Sequence, residues 1–386
     1  MRCGVTLYIQ GYQDWDRYEA AERGETVAPL DPHQDIQRFS EELDSALKLE
    51  DLGYDSIWTV EHHVSPYTMI PNPIQLLTFF AGATKRIDVG TMVVVLPWHH
   101  PLRVAEDMTL LQYALRGRQA FIGFGRGAAR REFGQLGLDM NESRERFVES
   151  VGIIRNALSQ EAFTHNGDFY KLGRVTMRPR PRDGQALIDN MHFSWGSATS
   201  APIGARLGLK PLIIPQKPWA EYHKDLSEFG QVRAGLGLPL ARPRVHMNVY
   251  CAETESEARR NAELYIPQYV DSAARNYELH SNHFKDVKGY EHYAERAATV
   301  TSKQDLVQKM GKSYVDNHCW GTPEQCIAKL RFIADQFHPE EFMMVMRFGN
   351  MPQDVSDKSI ALFAREVLPA VHEMKTLDPI NYGKAA

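Results

Sequence analysis

The stretch IDVGTMVVVLPWHHP, residues 87–101, decides the predicted fold. Its first part, Ile87–Leu96, is the most apolar run up to that point of the chain. A strand with so little polar interruption is typical of a parallel sheet that is buried on both faces. His100 and Pro101 follow as a helix start, because proline is favoured at the first helical position. The stretch therefore predicts a β-strand that leads directly into an α-helix.

The same strand-then-helix unit recurs on both sides of this stretch. Each predicted strand is followed by a helix-start signal or by helical periodicity, as at the capping box Thr322–Gln325. Eight such units predict an α/β fold with one (β/α)8 TIM barrel over residues 1–386, because an open doubly wound sheet usually has fewer strands. The predicted strands are Cys3–Ile9, Tyr54–Val60, Ile87–Leu96, Gln119–Phe124, Ala186–Phe193, Pro211–Ile214, Arg244–Cys251 and Glu341–Phe348.

Two segments interrupt the alternation. Thr164–Arg182 has the turn signals Asn166–Gly167 and Leu172–Gly173, which predict a β-hairpin. Residues 254–316 are long, polar and rich in Tyr, His and Lys, and they separate the seventh strand from its helix. We expect both segments to be insertions in the barrel.

Composition argues against several classes of protein. The formal net charge is −5, from 44 basic and 49 acidic side chains, and no basic cluster indicates a nucleic-acid partner. The four cysteines are widely spaced without a CxxC pair, so we expect buried thiols rather than disulfides or metal ligands. The N-terminus lacks a signal-peptide pattern, and no apolar run approaches the roughly 20 residues of a membrane span, so we expect a cytoplasmic protein without a membrane contact.

Polar residues cluster where predicted strands end, which is the face that carries active sites in barrels. Glu61, His62 and His63 follow the second strand. Alternation places His62 on the same face as Trp58 and Val60, towards the lumen, where an imidazole can act as acid, base or hydrogen-bond donor. His63 is either a structural histidine or part of the pocket wall. A metal site here lacks a third ligand at a recognisable spacing, so we predict no metal.

Two glycine-containing segments each allow two interpretations. Gly123–Ala128 fits the dinucleotide fingerprint G-x-G-x-x-A, although it follows the fourth strand rather than the first. Alternatively, its glycines let a ligand approach closely and Arg126 provides a charged fork for a phosphate. Gly196–Ser200 is either an ordinary helix N-cap or a phosphate cradle of free N–H groups and hydroxyls at a helix start.

Five segments together resemble the bacterial-luciferase-like flavin monooxygenases, including the luciferase α subunit. They occur in order along nearly the whole chain: WTVEHH (58–63), VGTMVVVLPWHHPLRVAED (89–107), GFGRG (123–127), GSATS (196–200) and GTPEQCI (321–327). The family has a (β/α)8 barrel that binds FMN across the ends of its strands. The resemblance therefore implies the same fold and the same cofactor.

The resemblance also implies roles for individual residues. His62 matches the catalytic histidine, and Met92–Val93 matches the pair whose backbone lies against the isoalloxazine, often through a non-proline cis peptide bond. Residues 254–316 resemble the mobile lid over the flavin, and residues 11–34 are an insertion in the first βα loop. The implied cofactor ligands at the phosphate end are Arg126, Gly196, Ser197 and Ser200.

The implied activity is monooxygenation. Reduced FMN reacts with O2 to give a C4a-(hydro)peroxyflavin, which transfers one oxygen atom to a small apolar organic substrate. No NAD(P)H-binding unit is recognised, so we expect a separate NAD(P)H:flavin reductase. The resemblance also implies a homodimer, since members of the family are commonly dimeric. Gly125, Gly196 and the 11–34 insertion depart from the luciferases, which leaves the substrate and light emission open.

Further interpretations stay open at this level. Together with His63, the tryptophans Trp98 and Trp195 near strand ends suggest an apolar substrate pocket, although such residues are equally typical of a barrel core. The alternative functions are a deazaflavin-dependent oxidoreductase of the same superfamily, a non-catalytic flavin-binding partner subunit, and a metal-dependent barrel hydrolase that uses Glu61 and His62.

Overall fold

Strands and helices alternate in the computed structural model, which describes residues 1–195 and 200–381. The strands are β1 (Arg2–Leu7), β2 (Ser56–Thr59), β3 (Asp88–Val95), β4 (Ala120–Gly125), β5 (Phe163–Asn166), β6 (Lys171–Val175), β7 (Met191–Ser194), β8 (Lys210–Ile213), β9 (Arg244–Cys251), β10 (Cys319–Gly321) and β11 (Glu341–Val345). The helices are α1 (Trp15–Glu22), α2 (Pro32–Leu47), α3 (Pro73–Ala83), α4 (Pro101–Leu115), α5 (Arg130–Gln135), α6 (Ser143–Ser159), α7 (Gly184–Asp189), α8 (Ala201–Arg206), α9 (Trp219–Gly235), α10 (Glu255–Asn276), α11 (Glu291–Ala297), α12 (Lys303–Asn317), α13 (Pro323–Phe337), α14 (Gln353–Glu366) and α15 (Leu368–Glu373).

The barrel wall is a closed ring of eight parallel strands in the order β1, β2, β3, β4, β7, β8, β9 and β11. Pairing of β1 with β11, and of β8 with β9, closes the ring. The predicted (β/α)8 barrel is therefore confirmed. The short strand β10, which was not predicted, pairs with β9. The predicted hairpin is also present, as the antiparallel pair β5 and β6.

Local capping explains where the predicted bounds hold and where they fail. β9 spans Arg244–Cys251 as predicted, and α13 begins with the predicted capping box. The fifth predicted strand, Ala186–Phe193, is wrong in its first half, because Ala186 lies in α7 and β7 begins only at Met191. The carboxylate of Asp183 accepts a hydrogen bond from the N–H of Ala186 at 2.9 Å, and this N-cap starts a short helix. The prediction failed because periodicity cannot separate a helix from a strand in so short an apolar run.

The two long insertions pack on each other. Residues 11–34 contain a short 3-10 turn and α1, and residues 254–316 contain α10, α11 and α12. The indole N–H of Trp15 in α1 donates to the hydroxyl of Ser272 in α10 at 2.6 Å. The four cysteines are free and buried, as expected. Within residues 1–195 and 200–381, none of the helices combines the length and the apolar character that a bilayer crossing requires.

A buried ion pair lies inside the barrel wall, near the start of two strands. Arg244 of β9 and Glu341 of β11 are fully buried and in contact with each other. Glu341 also accepts a hydrogen bond from Ser56 of β2, and the guanidinium carbon of Arg244 lies 3.7 Å from the centre of the Phe121 ring. Burial lowers the pKa of Arg244 to about 10, so the group stays charged at neutral pH. The pair therefore connects three strands within the lumen.

Replacement of Arg244 by Met is expected to lower the free energy of unfolding by about 3 kcal/mol, because Glu341 would stay buried without its main countercharge. Urea unfolding followed by circular dichroism measures this loss. The double replacement of Arg244 and Glu341 by Met is expected to regain most of the stability, since neither charge is then buried. A double variant as unstable as the single variant would contradict this explanation.

Candidate functional site

A cavity opens where the barrel strands end, and helices α10, α11 and α12 bound its other side. Its walls leave about 1190 Å³ unfilled by atoms, the open mouth included. Most of the predicted site residues line it: His62, Met92, Val93, Trp98, Arg126, Trp195 and Ser200. Two further predicted residues, Gly196 and Ser197, lie outside the residues that the structure describes.

His62 lies between a carboxylate and a phenol. Its Nδ1 atom is 2.8 Å from Oε1 of Glu132, a fully buried residue of α5, and its Nε2 atom is 3.1 Å from the hydroxyl of Tyr277, just after α10. The tautomer with its proton on Nδ1 satisfies both contacts, since Nδ1–H donates to the Glu132 carboxylate and Nε2 accepts from the Tyr277 hydroxyl. The N–H of His63 donates to the same Glu132 oxygen at 2.8 Å. These contacts hold the His62 ring in one orientation and one tautomer.

Both partners of His62 were missed in the sequence. Glu132 is 70 residues away along the chain and Tyr277 is 215 residues away, and neither belongs to a recognisable motif. Only the position of Glu132 in the chain could have indicated its role. Glu132 follows shortly after the fourth strand, on the face where barrel enzymes carry their active sites.

Glu61 forms a second buried centre with two other histidines. Its Oε1 atom accepts from Nε2 of His63 at 2.8 Å and from Nε2 of His99 at 2.5 Å, and its Oε2 atom accepts from the N–H of Val95 at 2.7 Å. Burial alone would raise the pKa of Glu61, but these donors outweigh it and lower that pKa. Burial would lower the pKa of His99, but the contact with Glu61 outweighs it and raises that pKa.

The Glu61 centre corrects two expectations. His63, which we predicted to line the substrate pocket, is turned towards Glu61 and is not among the residues that line the cavity. The metal alternative paired Glu61 with His62, whereas the structure separates these two residues, because His62 is bonded to Glu132. Glu61, His63 and His99 do offer one ligand atom each within 4.8 Å of one another, but hydrogen bonds already join these atoms.

Two arginines lie side by side at the other end of the cavity. Arg126, directly after β4, lines the cavity, and Arg144 of α6 lies next to it across Gly289. A Cβ atom at Gly289 would lie 2.5 Å from Nη2 of Arg144 and 3.1 Å from Nη1 of Arg126, so a larger residue would push the guanidinium groups aside. The φ of 84° at this position also favours glycine. Nη2 of Arg126 donates to the carbonyl oxygen of Gly289 at 3.0 Å. Burial, together with the charge of Arg144, lowers the pKa of Arg126.

This arginine pair, Arg126 and Arg144, has unused hydrogen-bonding capacity. Nη1 of Arg126 and Nε of Arg144 are buried without a hydrogen-bond partner among the described residues. Buried N–H groups of a charged side chain are normally paired, and two adjacent like charges favour an anion between them. Tyr290 covers the pair, since its ring centre lies 4.9 Å from the Arg126 guanidinium and its hydroxyl donates to the carbonyl oxygen of Gly127 at 2.6 Å. The pair therefore has the charge and the free N–H groups that could hold an anion beneath the segment 254–316.

Strands β3 and β4 form the wall between the two ends of the cavity. Met92 and Val93 of β3 both line it, and the peptide bond that joins them is cis. Gly125 and Gly127 also line the cavity, in keeping with the expectation that the glycines of this segment leave room for a ligand. An added Cβ atom at Gly125 would collide with the side chain of Val93. At Gly123 it would collide with the backbone of Thr91, so these glycines let β4 pack against β3. The fourth-strand position in a closed barrel also excludes the dinucleotide-binding interpretation.

Both predicted pocket tryptophans lie in the wall. Trp195 donates from its indole N–H to Asp225 at 3.0 Å and stacks on Phe229 with ring centres 5.4 Å apart. Trp98 meets the ring of Phe133 edge to face, with ring centres 5.6 Å apart. Hydrogen bonding and stacking thus hold Trp195, which is buried and lines the cavity.

The insertion 11–34 supports the elements around His62. The hydroxyl of Tyr18 in α1 donates to the carbonyl oxygen of Val64 at 2.7 Å, two residues after His62. Val64 has a φ of 49°, an unusual value for a β-branched residue, so the turn after His62 depends on such support. Glu22 of α1 pairs at 2.8 Å with Arg131, the neighbour of Glu132. Helix α1 thus touches both segments that carry the His62–Glu132 contact.

Solved structures with a similar fold come from several oxidoreductases. Monooxygenase RslO1 from Streptomyces bottropensis has a TM-score of 0.72 and 24% identity, over 96% of this chain and 100% of that one. The oxygenating constituent of 3,6-diketocamphane monooxygenase from Pseudomonas putida, a type II Baeyer–Villiger monooxygenase in complex with FMN, has a TM-score of 0.70 and 20% identity, over 96% and 98%. An F420-dependent secondary alcohol dehydrogenase has a TM-score of 0.65 and 16% identity, over 96% and 98%. At these low sequence identities, the similarity shows a shared fold and no more.

Sequence relatives are more specific. The chain is 35% identical over 334 residues to the alkanal monooxygenase alpha chain of Photorhabdus laumondii subsp. laumondii, which covers 84% of this chain and 90% of that protein. It is 26% identical over 367 residues to the 4-hydroxyprotoasukamycin monooxygenase of Streptomyces nodosus subsp. asukaensis, which covers 90% and 91%. The family model described as luciferase-like monooxygenase matches residues 21–337. The chain therefore belongs to the luciferase-like monooxygenase family of oxidoreductases.

Proposed function

We propose that the protein is an FMN-dependent monooxygenase that inserts one atom of O2 into a small organic substrate. The observation that carries this proposal is the arginine pair, in which Arg126 is buried, Arg144 is partly buried, and each has a buried N–H group that lacks a partner among the described residues. A phosphate group suits this arrangement, because the planar guanidinium fork binds phosphate oxygens through charge-assisted hydrogen bonds. FMN carries its phosphate at the end of a flexible chain and can reach the pair.

The remaining lining residues fit the rest of FMN. Ser200 lines the same cavity and would bind the phosphate together with Gly196 and Ser197. The isoalloxazine would lie along Met92 and Val93, between the β3 wall and the helices of residues 254–316. When bound in its reduced form, FMN supplies the two electrons with which one oxygen atom of O2 enters the substrate and the other leaves as water.

His62 is the proton-handling group in this proposal. With its Nδ1–H held by Glu132, its Nε2 atom faces the Tyr277 hydroxyl, so a proton can pass between the imidazole, the phenol and a reacting group in the cavity. The carboxylate of Glu132 stabilises the imidazolium when the ring takes up a second proton. The chain itself thus binds the cofactor, orients His62 and excludes water.

The proposal includes two partners and a lid. A separate NAD(P)H:flavin reductase would supply reduced FMN, because residues 1–195 and 200–381 form one barrel with insertions and include no dinucleotide-binding unit. Residues 254–316 would act as the lid, since Gly289 and Tyr290 close over Arg126. A homodimer is the proposed assembly, on the basis of the family resemblance alone.

A deazaflavin-dependent oxidoreductase is the second candidate, because two enzymes of similar fold are F420-dependent. Titration of the purified protein with FMN and with coenzyme F420 separates the two, provided that O2 consumption is followed with each reduced cofactor. The intact contact between His62 and Glu132 speaks against a non-catalytic subunit. The separation of Glu61 from His62, which contacts Glu132 instead, speaks against the metal-dependent hydrolase that pairs these two residues.

Replacement of Arg126 or of Arg144 by Met is expected to raise the Kd for FMN by about 10- to 100-fold, because each change removes a charge-assisted hydrogen bond to the phosphate. Quenching of FMN fluorescence on binding measures the Kd. The matched control is Arg103→Met in α4, a side chain that is 75% exposed, and its Kd should equal that of the unchanged protein. Unchanged affinity in both site variants would rule out the proposed phosphate site.

Replacement of Glu132 by Gln is expected to leave the Kd for FMN within about twofold but to lower coupling about tenfold, because the amide cannot stabilise a protonated His62. Coupling is measured as product formed per O2 consumed, with released hydrogen peroxide as the complement. Glu142→Gln, at a side chain that is 40% exposed, serves as the control. Normal coupling in Glu132→Gln would mean that the carboxylate does not act through His62.

A further inference from the structure

Five tyrosines surround the space next to His62. They come from the barrel, from the loop after β2 and from two helices of the segment 254–316, and all of them line the cavity. We call them the tyrosine cluster: Tyr8, Tyr67, Tyr269, Tyr277 and Tyr314. Neither the proton-handling role of His62 nor the phosphate site accounts for so many phenols in one wall.

The rings of the cluster form a continuous aromatic surface. Tyr8 stacks on Tyr269 with ring centres 5.6 Å apart and an angle of 22° between the rings. The ring centres of Tyr269 and Tyr314 lie 6.0 Å apart, and the ring of Tyr277 stands edge-on to that of Tyr67 at 5.5 Å. The ring of His62 meets Tyr67 edge to face at 4.6 Å. A flat aromatic ligand can therefore stack or pack edge-on against several rings at once.

The hydroxyls of the cluster make the same surface polar. The hydroxyls of Tyr67 and Tyr269 lie 3.3 Å apart, and the Tyr277 hydroxyl lies 3.1 Å from His62. Burial raises the pKa of Tyr8, Tyr67 and Tyr277 well above the ordinary value for tyrosine. These phenols therefore stay neutral at physiological pH and offer O–H donors and acceptors without charge. A ligand that fits them carries neutral oxygen atoms rather than an anionic group.

The side of the barrel behind Tyr8 is polar as well. The ring of His246, on β9, stacks against Tyr8 with centres 5.9 Å apart. His246 is almost completely buried, and burial lowers its pKa to about 3, so its ring is neutral. Neither ring nitrogen has a hydrogen-bond partner among the described residues. The Tyr8 side of the cluster therefore rests on a neutral, polar ring.

The cluster is distinct from the phosphate end of the cavity. Tyr290 and Tyr293 also line the cavity, but Tyr290 lies over Arg126, and both pack against Phe284. The cluster instead contacts His62. The cavity thus has an anionic-ligand end at the arginine pair and a neutral aromatic end at the tyrosine cluster.

We propose that the tyrosine cluster binds the substrate, and that this substrate is a planar aromatic compound with carbonyl or hydroxyl oxygens rather than a straight-chain aliphatic aldehyde or ketone. Offset and edge-on ring contacts hold the plane of the substrate, and the phenol hydroxyls bind its oxygen atoms. This places the substrate beside the His62 ring. The identification of this compound as the substrate rests on the proposed monooxygenase function, whereas its binding to the cluster does not.

The test compares two neutral C12 ketones on the protein loaded with oxidised FMN. One is 1-hydroxy-2-acetonaphthone, which is planar, and the other is the aliphatic 2-dodecanone. Isothermal titration calorimetry is expected to give a Kd for the naphthone at least about tenfold below that for dodecanone, given the ring contacts and second oxygen. Tyr269→Phe and Tyr67→Phe should each raise the Kd for the naphthone about fivefold, because each variant loses one net hydrogen bond. Neither variant should change the Kd for FMN.

Tyr113→Phe is the matched control, because Tyr113 is 45% exposed on α4 and remote from the lining residues. This variant should change neither the Kd for the naphthone nor the Kd for FMN. Equal or tighter binding of dodecanone would overturn the proposal, and so would naphthone binding that stays within about twofold in both cluster variants. The Phe variants keep the ring, and thermal unfolding verifies that they fold. If FMN itself fails to bind, the proposed function is wrong, and the same titrations on the flavin-free protein still decide the assignment of the cluster.

Discussion

One electrostatic constraint governs the cavity: Arg126 is buried beside the guanidinium group of Arg144. Two adjacent guanidinium groups with N–H donors that lack partners in the described chain are unfavourable unless an anion joins them. The segment 254–316 closes over this pair through the carbonyl oxygen of Gly289 and the ring of Tyr290. In the proposed function, ligand binding would therefore be linked to the position of this segment, because an anion at the pair changes the charge on which the segment rests.

The lining of the cavity changes with distance from this charged end. The β3 wall at Met92 and Val93 occupies the middle, and His62 with the tyrosine cluster occupies the neutral end. In the proposed function, the chain thus separates three tasks along one cavity: holding an anion, supporting a flat ring system and handling a proton next to a second ligand. The insertion 11–34 belongs to the third task, since α1 supports the turn after His62.

The barrel could be predicted because each βα unit is encoded locally, by an apolar run and a helix-start signal. The error at Ala186 arose where a side-chain cap, rather than periodicity, decided the local structure. The site was predicted in part: His62, Met92, Val93, Arg126 and Ser200 do line one cavity. The sequence analysis missed Glu132, Arg144 and the tyrosine cluster, because their roles depend on contacts between residues far apart in the chain. No periodicity encodes a contact across 215 residues, such as that of Tyr277 with His62.

The most direct test compares FMN with riboflavin, which has the same ring system but no phosphate. Equilibrium dialysis of the unchanged protein with each flavin gives the two dissociation constants. If the arginine pair binds the phosphate, FMN should bind at least about 100-fold more tightly than riboflavin, and the difference should shrink as salt is added. Equal affinities within about threefold, at low salt, would contradict the central claim.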